Sequence, residues 1–338
     1  MRNKKIKIGF IGAGSIGSLF GAYLTKFQEK RSSGEESKIS VVFFCRSAHA
    51  NQINKKGLQL ENEEGISIIR GIKAYTNSQD YLVDEELNRE SIFFDYLFLT
   101  TKTYDIKSAL NQYKTIVKQS KYLVILQNGI GNEEIINNIM PDISLIRLVT
   151  TNGGFLKEPG YIVHTGKGIT KMGIPKRNES NLEASTALGD LKQLLEESGL
   201  KSRIVDDIIK VCWEKVFVNI GINAFGALTR LRNGDLLKIE GLKKLMKRAI
   251  NEAKKVAQER GIDLGKKDFV ELTYEVARKT ADNLNSMLQD VRKGSPTEID
   301  FINGRIVGYA NRLGIEVPIN ETITYLIKGL EYTNQRKE

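Results

Sequence analysis

The chain has 338 residues, 41% of them hydrophobic and 27% charged, with a formal net charge of +10. That length allows two ordinary domains with well-buried cores, and no apolar run approaches the length of a membrane span. The excess lysines (Lys243, Lys244, Lys247, Lys254 and Lys255 among them) are scattered without aromatic interleaving, the two cysteines Cys45 and Cys212 each sit in an apolar run, and the two histidines His49 and His164 lie far apart, so a nucleic-acid partner, a disulfide framework and a metal centre are not expected.

The N-terminus, MRNKKIKIGFIGAG, is basic and then apolar, superficially like an export signal. Its apolar part is too short for one and runs into a glycine motif, so a cytoplasmic location is expected. Lys7 to Ile11 reads as a strand, followed by Gly12-Ala13-Gly14-Ser15-Ile16-Gly17 and a helix through about Lys26. This is the strand, tight turn and helix of a dinucleotide site. Gly12 permits the turn, Gly14 lets the backbone approach a pyrophosphate, and Gly17 lets the helix pack on the strand. The helix N-terminus supplies free N–H groups and the positive end of its dipole.

Glu29 to Lys38 is polar and reads as a loop insertion before the strand Ile39 to Cys45. A cofactor with a free ribose 2′-hydroxyl calls for Asp or Glu after that strand. Here the chain reads Cys45-Arg46-Ser47, and the planar guanidinium of Arg46 suits a 2′-phosphate, which favours NADP(H) over NAD(H). The alternative is an ordinary surface arginine.

Leu58 to Leu60 and Ile66 to Ile69 alternate around ENEEG and suggest a hairpin. Tyr96 to Thr100, Tyr122 to Leu126 and Leu145 to Thr150 read as buried strands, ending near Lys102 in the first case and at Gln127-Asn128-Gly129 in the second. Shorter strands follow at Tyr161 to His164, Ile169 to Met172 and Lys201 to Val205, with a helix at Leu182 to Ser198 before the last. The expected fold is α/β, an N-terminal Rossmann-like doubly wound parallel sheet over 1–206. Ligands bind beyond the carboxyl ends of such strands, where Gly12, Arg46, Lys102 and Asn128 fall.

From 207 to 338 the pattern turns all-helical, which marks a second domain. Helices are expected at Ile208 to Leu228, Gly241 to Arg260, Lys267 to Leu284, Thr297 to Leu313 and Asn320 to Asn334. The first is apolar almost all round, yet Lys215, Asn219 and Asn223 recur every fourth residue along one stripe. An ammonium and two amides there are costly unless polar groups meet them. Either a ligand with oxygens meets them, or the lysine reaches solvent and the amides bond a neighbouring segment.

GAGSIG, then QNG after a middle strand, then Lys-x3-Asn-x3-Asn, N-x2-SMLQD from Asn283, and TEIDFING from Thr297 occur in that order. Together they resemble the ketopantoate reductase family, NADPH enzymes of pantothenate synthesis, over nearly the whole chain. The resemblance implies that Lys215 is the general acid and that Glu298 positions substrate and nicotinamide ribose. It implies substrate contacts from Asn128, Asn219, Asn223, Asn283 and Ser286. It implies cofactor contacts from the turn Gly12 to Gly17, from Arg46 and Lys102, and from Asn128 and Glu298.

The residue types suit that chemistry. Reducing a 2-keto group needs a hydride donor, a proton donor and grips for carboxylate and hydroxyl oxygens. Burial lowers a lysine pKa and eases proton release, while amides and a serine hydroxyl grip oxygens without adding charge. Glu298 read by itself is equally a carboxylate at a helix start after Pro296, favoured by the dipole. A related NADPH-dependent 2-oxoacid reductase and a non-catalytic NADP-binding protein are the alternative readings. The partner expected is a small-molecule 2-oxoacid, and oligomeric state is left open, a homodimer included.

Overall fold

The computed structural model describes residues 6–31, 39–87, 93–175 and 182–336. The chain divides into two units, Met1–Gln127 with Asn132–Ile208, and Asn128–Gly131 with Ile209–Glu338. The short stretch after Gln127 therefore groups with the helices, not with the sheet on either side of it in sequence.

Among the described residues, the first unit has twelve strands: β1 (Ile6–Ile11), β2 (Ile39–Phe44), β3 (Leu58–Asn62), β4 (Gly65–Ile69), β5 (Lys73–Tyr75), β6 (Phe94–Leu99), β7 (Ser120–Ile125), β8 (Leu145–Thr150), β9 (Gly153–Glu158), β10 (Tyr161–Gly166), β11 (Thr170–Gly173) and β12 (Ser202–Ile204). Eight of them form one sheet in the order β12-β11-β8-β7-β6-β1-β2-β5, parallel throughout except where β11 meets β8. Its central strands are apolar runs such as ISVVFF because both faces are covered. The two-residue period sends Ile8, Phe10, Val41, Phe43, Phe98 and Val124 to one core and Ile11, Val42, Phe44, Leu97, Leu99 and Ile125 to the other.

Helices α1 (Ser15–Arg31), α2 (Ser47–Lys56), α3 (Ser78–Leu87), α4 (Ile106–Gln112), α5 (Lys114–Lys118), α6 (Asn132–Ile139) and α7 (Leu182–Glu197) belong to this unit. The first core holds Leu19, Phe20 and Leu24 of α1 and Leu191 and Leu195 of α7; the second holds Ile106 and Leu110 of α4 and Ile136 of α6. Phe10 stacks on Phe98 at 4.6 Å between centroids. Truncating either ring to alanine is expected to cost about 3–5 kcal/mol.

Helix α1 continues past Lys26 to Arg31, and the rest of the expected insertion, 32–38, lies outside the described residues. The hairpin is present as β3 and β4, but it also joins β9 and β10 in a second, four-stranded sheet, which the sequence reading did not foresee.

The second unit contains α8 (Ile208–Thr229), α9 (Glu240–Glu259), α10 (Phe269–Lys279), α11 (Ser286–Arg292), α12 (Asn303–Leu313) and α13 (Pro318–Gln335). Helix α9 buries Met246, Ala249, Ile250, Ala253, Val256 and Ala257, one stripe at helical spacing. Asp268 caps α10 and Asn285 caps α11, each accepting from backbone N–H groups of the first turn. Two expectations are corrected here. The helix expected over Lys267 to Leu284 ends at Lys279, and the one expected from Thr297 begins only at Asn303, after a 3-10 turn at Ile299–Phe301. Among the described residues, no helix is long and apolar enough to cross a membrane.

Candidate active site

The first unit carries the glycine turn. Gly12 sits at φ +91°, and a Cβ there would stand 2.6 Å from the Thr101 backbone nitrogen. A Cβ on Gly17 would stand 2.8 Å from the Gly12 carbonyl oxygen, so any side chain there would push α1 off the strand end. Gly14 differs, since a Cβ there would meet nothing within 4 Å. Bare backbone thus faces open space at the N-terminus of a 17-residue helix, which fits an anionic pyrophosphate. Ala13, Ser15 and Ile16 complete the turn, and Ser15 Oγ accepts a 3.2 Å bond from the Leu156 N–H of β9.

A buried chain of hydrogen bonds underlies this turn, and the sequence reading missed it. The Gly160 N–H donates to His49 Nδ1 at 2.8 Å. That leaves the ring hydrogen on Nε2, which donates to Ser18 Oγ at 3.0 Å, and Ser18 Oγ donates to the Ala13 carbonyl at 2.9 Å. Burial pushes the His49 pKa down to about 4, so the ring is neutral around pH 7. His49 occurs in no motif; its only signal was a histidine on the inner face of a helix following the second strand.

Arg46 follows β2 and is exposed. It lies within electrostatic reach of Asp105, whose carboxyl burial pushes up and the Arg46 guanidinium pulls down. Lys102 follows β6 and precedes the turn at Thr103–Asp105. Gln127 Nε2 donates to the Thr101 carbonyl at 2.9 Å, and Arg147 Nη2 donates to the Gln127 carbonyl at 2.9 Å. Arg147 is 1% exposed and pairs with Glu133 through Nε at 3.2 Å. A lone cation inside the apolar strand LIRLVT was its signal.

The second unit brings three expected residues together. Lys215 Nζ donates to Asn128 Oδ1 at 2.9 Å, and Asn128 Nδ2 donates to Glu298 Oε2 at 3.0 Å. The two ends of one amide therefore bridge an ammonium and a carboxylate, and each fixes which way the amide points. Glu298 is 6% exposed and makes this bond from the residue before the 3-10 turn, not from the start of an α-helix. Asn219 and Asn223 continue the stripe along α8, Asn219 half-buried and Asn223 buried.

The Asn283–Ser286 segment is seated against α8 by a residue the reading passed over. Asn285 Nδ2 reaches the Ile222 carbonyl at 3.4 Å while its Oδ1 accepts from the Leu288 N–H at 3.0 Å. Asn283 and Ser286 are both exposed. An Asn directly before Ser-Met-Leu is a helix-cap pattern, and that signal was available in the sequence. Among the described residues, no group of three or more His, Cys, Asp or Glu is placed to hold a metal ion.

Comparison with known proteins shows the family of the chain. The model of the family described as ketopantoate reductase PanE/ApbA matches residues 8–177, and that of the ketopantoate reductase PanE/ApbA C terminal matches 207–331. The 2-dehydropantoate 2-reductase of Pyrococcus horikoshii is 35% identical over 329 residues, 96% of this chain and 98% of that protein. Its counterpart from Archaeoglobus fulgidus is 30% identical over 331 residues, 98% of this chain and 99% of that protein. Among solved structures, a PanE/ApbA family ketopantoate reductase from Ralstonia eutropha superposes with a TM-score of 0.83 at 24% identity, covering 98% of this chain and 100% of that one. A ternary structure of D-mandelate dehydrogenase with NADH and anilino(oxo)acetate gives 0.82 at 25% identity, with coverage of 98% and 100%.

The class is therefore that of oxidoreductases with a Rossmann-like sheet and a helical C-terminal region. Within it, this chain belongs to the ketopantoate reductase family.

Proposed function

We propose that this protein reduces 2-dehydropantoate to pantoate with NADPH, a step of pantothenate synthesis in the cytoplasm. The observation that carries the reading is the Lys215–Asn128–Glu298 chain, an ammonium, an amide and a carboxylate joined at 2.9 and 3.0 Å. The full-length relatives named 2-dehydropantoate 2-reductase support the choice of acid. NADPH, when bound, supplies the hydride. The turn Gly12 to Gly17 would hold its pyrophosphate, Arg46 its 2′-phosphate, and Lys102, Asn128 and Glu298 the rest of the molecule.

Lys215 gives its proton to the keto oxygen as that oxygen gains charge. Asn128 Oδ1 aims the ammonium and adds no negative charge that would hold the proton back. Glu298 keeps that oxygen facing Lys215 by accepting from the other end of the amide. Asn219, Asn223, Asn283 and Ser286 would grip the carboxylate and hydroxyl of the substrate.

A second reading, another 2-oxoacid as the physiological substrate, is favoured by the structural likeness to D-mandelate dehydrogenase. Purified protein with NADPH or NADH, screened over ketopantoate, 2-oxoisovalerate and phenylglyoxylate, separates the two. The first reading expects ketopantoate with NADPH to give the highest kcat/KM. A higher value for another acid would transfer the protein to the second.

A further inference from the structure

The second unit contains a buried aromatic that packs against α8 on one side and against the loop that begins at Asn128 on the other. Tyr309 of α12 is 2% exposed. Its ring stacks on Trp213 at 6.0 Å and 28°, and Trp213 lies two residues from Lys215 on α8. Its opposite end reaches the Asn128 loop, where a Cβ on Gly131 would stand 2.7 Å from Tyr309 Oη. The same Cβ would stand 3.0 Å from Arg305 Nε. That Nε is buried without a hydrogen-bond partner, and its guanidinium lies over the Phe301 ring at 5.2 Å. The guanidinium of Arg260 covers the Tyr309 ring at 3.7 Å, which further fixes its place.

The loop is pressed onto this surface along its length. The Ile130 N–H donates to the Phe301 carbonyl at 3.3 Å, and a Cβ on Gly129 would stand 2.5 Å from that same oxygen. Gly129 and Gly131 both adopt φ +79°. The backbone therefore comes as close to the 3-10 turn at Gly129, and to α12 at Gly131, as the absence of side chains allows. Asn128 is the first residue of this loop, and its depth on α12 determines where its amide meets Lys215.

We propose that Tyr309 is a positioning residue for the reduction. It spaces the Asn128 loop from the Lys215 helix through Gly131 on one side and Trp213 on the other, with Arg305 wedged beside it. This rests on the reading of Lys215 as proton donor. Interiors are close-packed, so an added methyl at Gly131 must displace the loop or the ring. A displacement of about 1 Å in a reacting group costs on the order of a hundredfold in rate.

The test uses Gly131→Ala, Tyr309→Phe and the double variant of the full chain. Gly131→Ala is expected to lower kcat by about ten- to a hundredfold while NADPH affinity stays within about threefold. Tyr309→Phe alone is expected to lower kcat by about three- to tenfold, because the ring still stacks on Trp213 while the hydroxyl that spaces the loop is gone. In the double variant the missing hydroxyl removes the closest contact of the methyl while the φ +79° backbone and Arg305 at 3.0 Å stay, so kcat should recover in part, by at least about threefold over Gly131→Ala. Unchanged kcat in Gly131→Ala, or no recovery in the double variant, overturns the proposal.

The Asn128 side-chain amide resonance is followed in the same proteins. It should shift in Gly131→Ala and move back in the double variant. If it does so while Lys215→Ala keeps normal turnover, the spacing holds and the proton-donor reading fails. If Lys215→Ala loses turnover while the resonance never moves, the spacing fails alone. Should Gly131→Ala not fold, Arg305→Met removes the wedge instead, and an unmoved resonance with unchanged kcat there overturns the proposal equally.

Discussion

Lys215 and Glu298 hold opposite ends of the Asn128 amide, at 2.9 Å from the ammonium and 3.0 Å to the carboxylate. The amide thus links the two and presents the ammonium with a neutral oxygen, which opposes release of its proton less than a carboxylate oxygen would.

Lys215→Ala should therefore lose about 10²–10⁴-fold in turnover with NADPH binding kept. Asn128→Asp should also lose turnover near pH 7, because the introduced carboxylate faces both Lys215 and Glu298. Part of that loss should return below about pH 4, where an aspartic acid with an ordinary pKa becomes mostly neutral. Near-normal turnover of Lys215→Ala on its best 2-oxoacid removes the residue from the mechanism.

Cofactor choice should depend on Arg46, exposed after β2 with no acid in the place of a ribose partner. Each charge-assisted bond to a 2′-phosphate is worth about 1.5–3 kcal/mol. Arg46→Ala should weaken NADPH by about tenfold or more and leave NADH within about threefold. Equal losses in calorimetric titrations with both cofactors would show that Arg46 does not read the phosphate.

Substrate preference gives a third expectation. Ketopantoate carries a hydroxyl that 2-oxoisovalerate lacks, and a site built to bond that hydroxyl leaves buried groups unpaired without it. Ketopantoate should be preferred in kcat/KM by at least about tenfold, equivalent to roughly 1.4 kcal/mol. Asn219→Ala should shrink that ratio if Asn219 is one of the partners. Comparable kcat/KM values for the two acids in the wild type would contradict this.

The fourth concerns pH and stability. His49 titrates at about 4 in the folded protein against 6.5 without the fold. Between these values the unfolded chain takes up a proton that the folded chain does not. The contribution of His49 is therefore full above pH 6.5 and is lost as pH falls toward 4. The loss is on the order of 2–3 kcal/mol. Thermal unfolding across this window should show a falling midpoint, and His49→Gln should flatten the fall. An unchanged slope in the variant would mean that other groups carry it.

The parallel sheet was legible because its strands are short apolar runs separated by helices, and the glycine turn because its spacing follows from backbone sterics. The stripe of Lys215, Asn219 and Asn223 followed from helical pitch alone. The second sheet was not legible, since β3 pairs with β10 across about a hundred positions and pairing of that kind leaves no local pattern. The start of α12 was misplaced because TEID resembles a helix opening, whereas Glu298 is engaged by Asn128 instead. Tyr309 and Arg305 read as ordinary helix residues; only the backbone of Gly131 beside them shows what they constrain.

Asn128 to Gly131 groups with the helical unit although the chain on both sides of it belongs to the sheet. A gene fragment encoding Ile209 onward would carry Lys215 and Glu298 but not the amide that joins them. Exchanging the C-terminal halves of two relatives would likewise pair one parent's lysine with the other's asparagine. Chimeras in this family should therefore keep activity more readily when the four residues from Asn128 to Gly131 travel with the helices they touch.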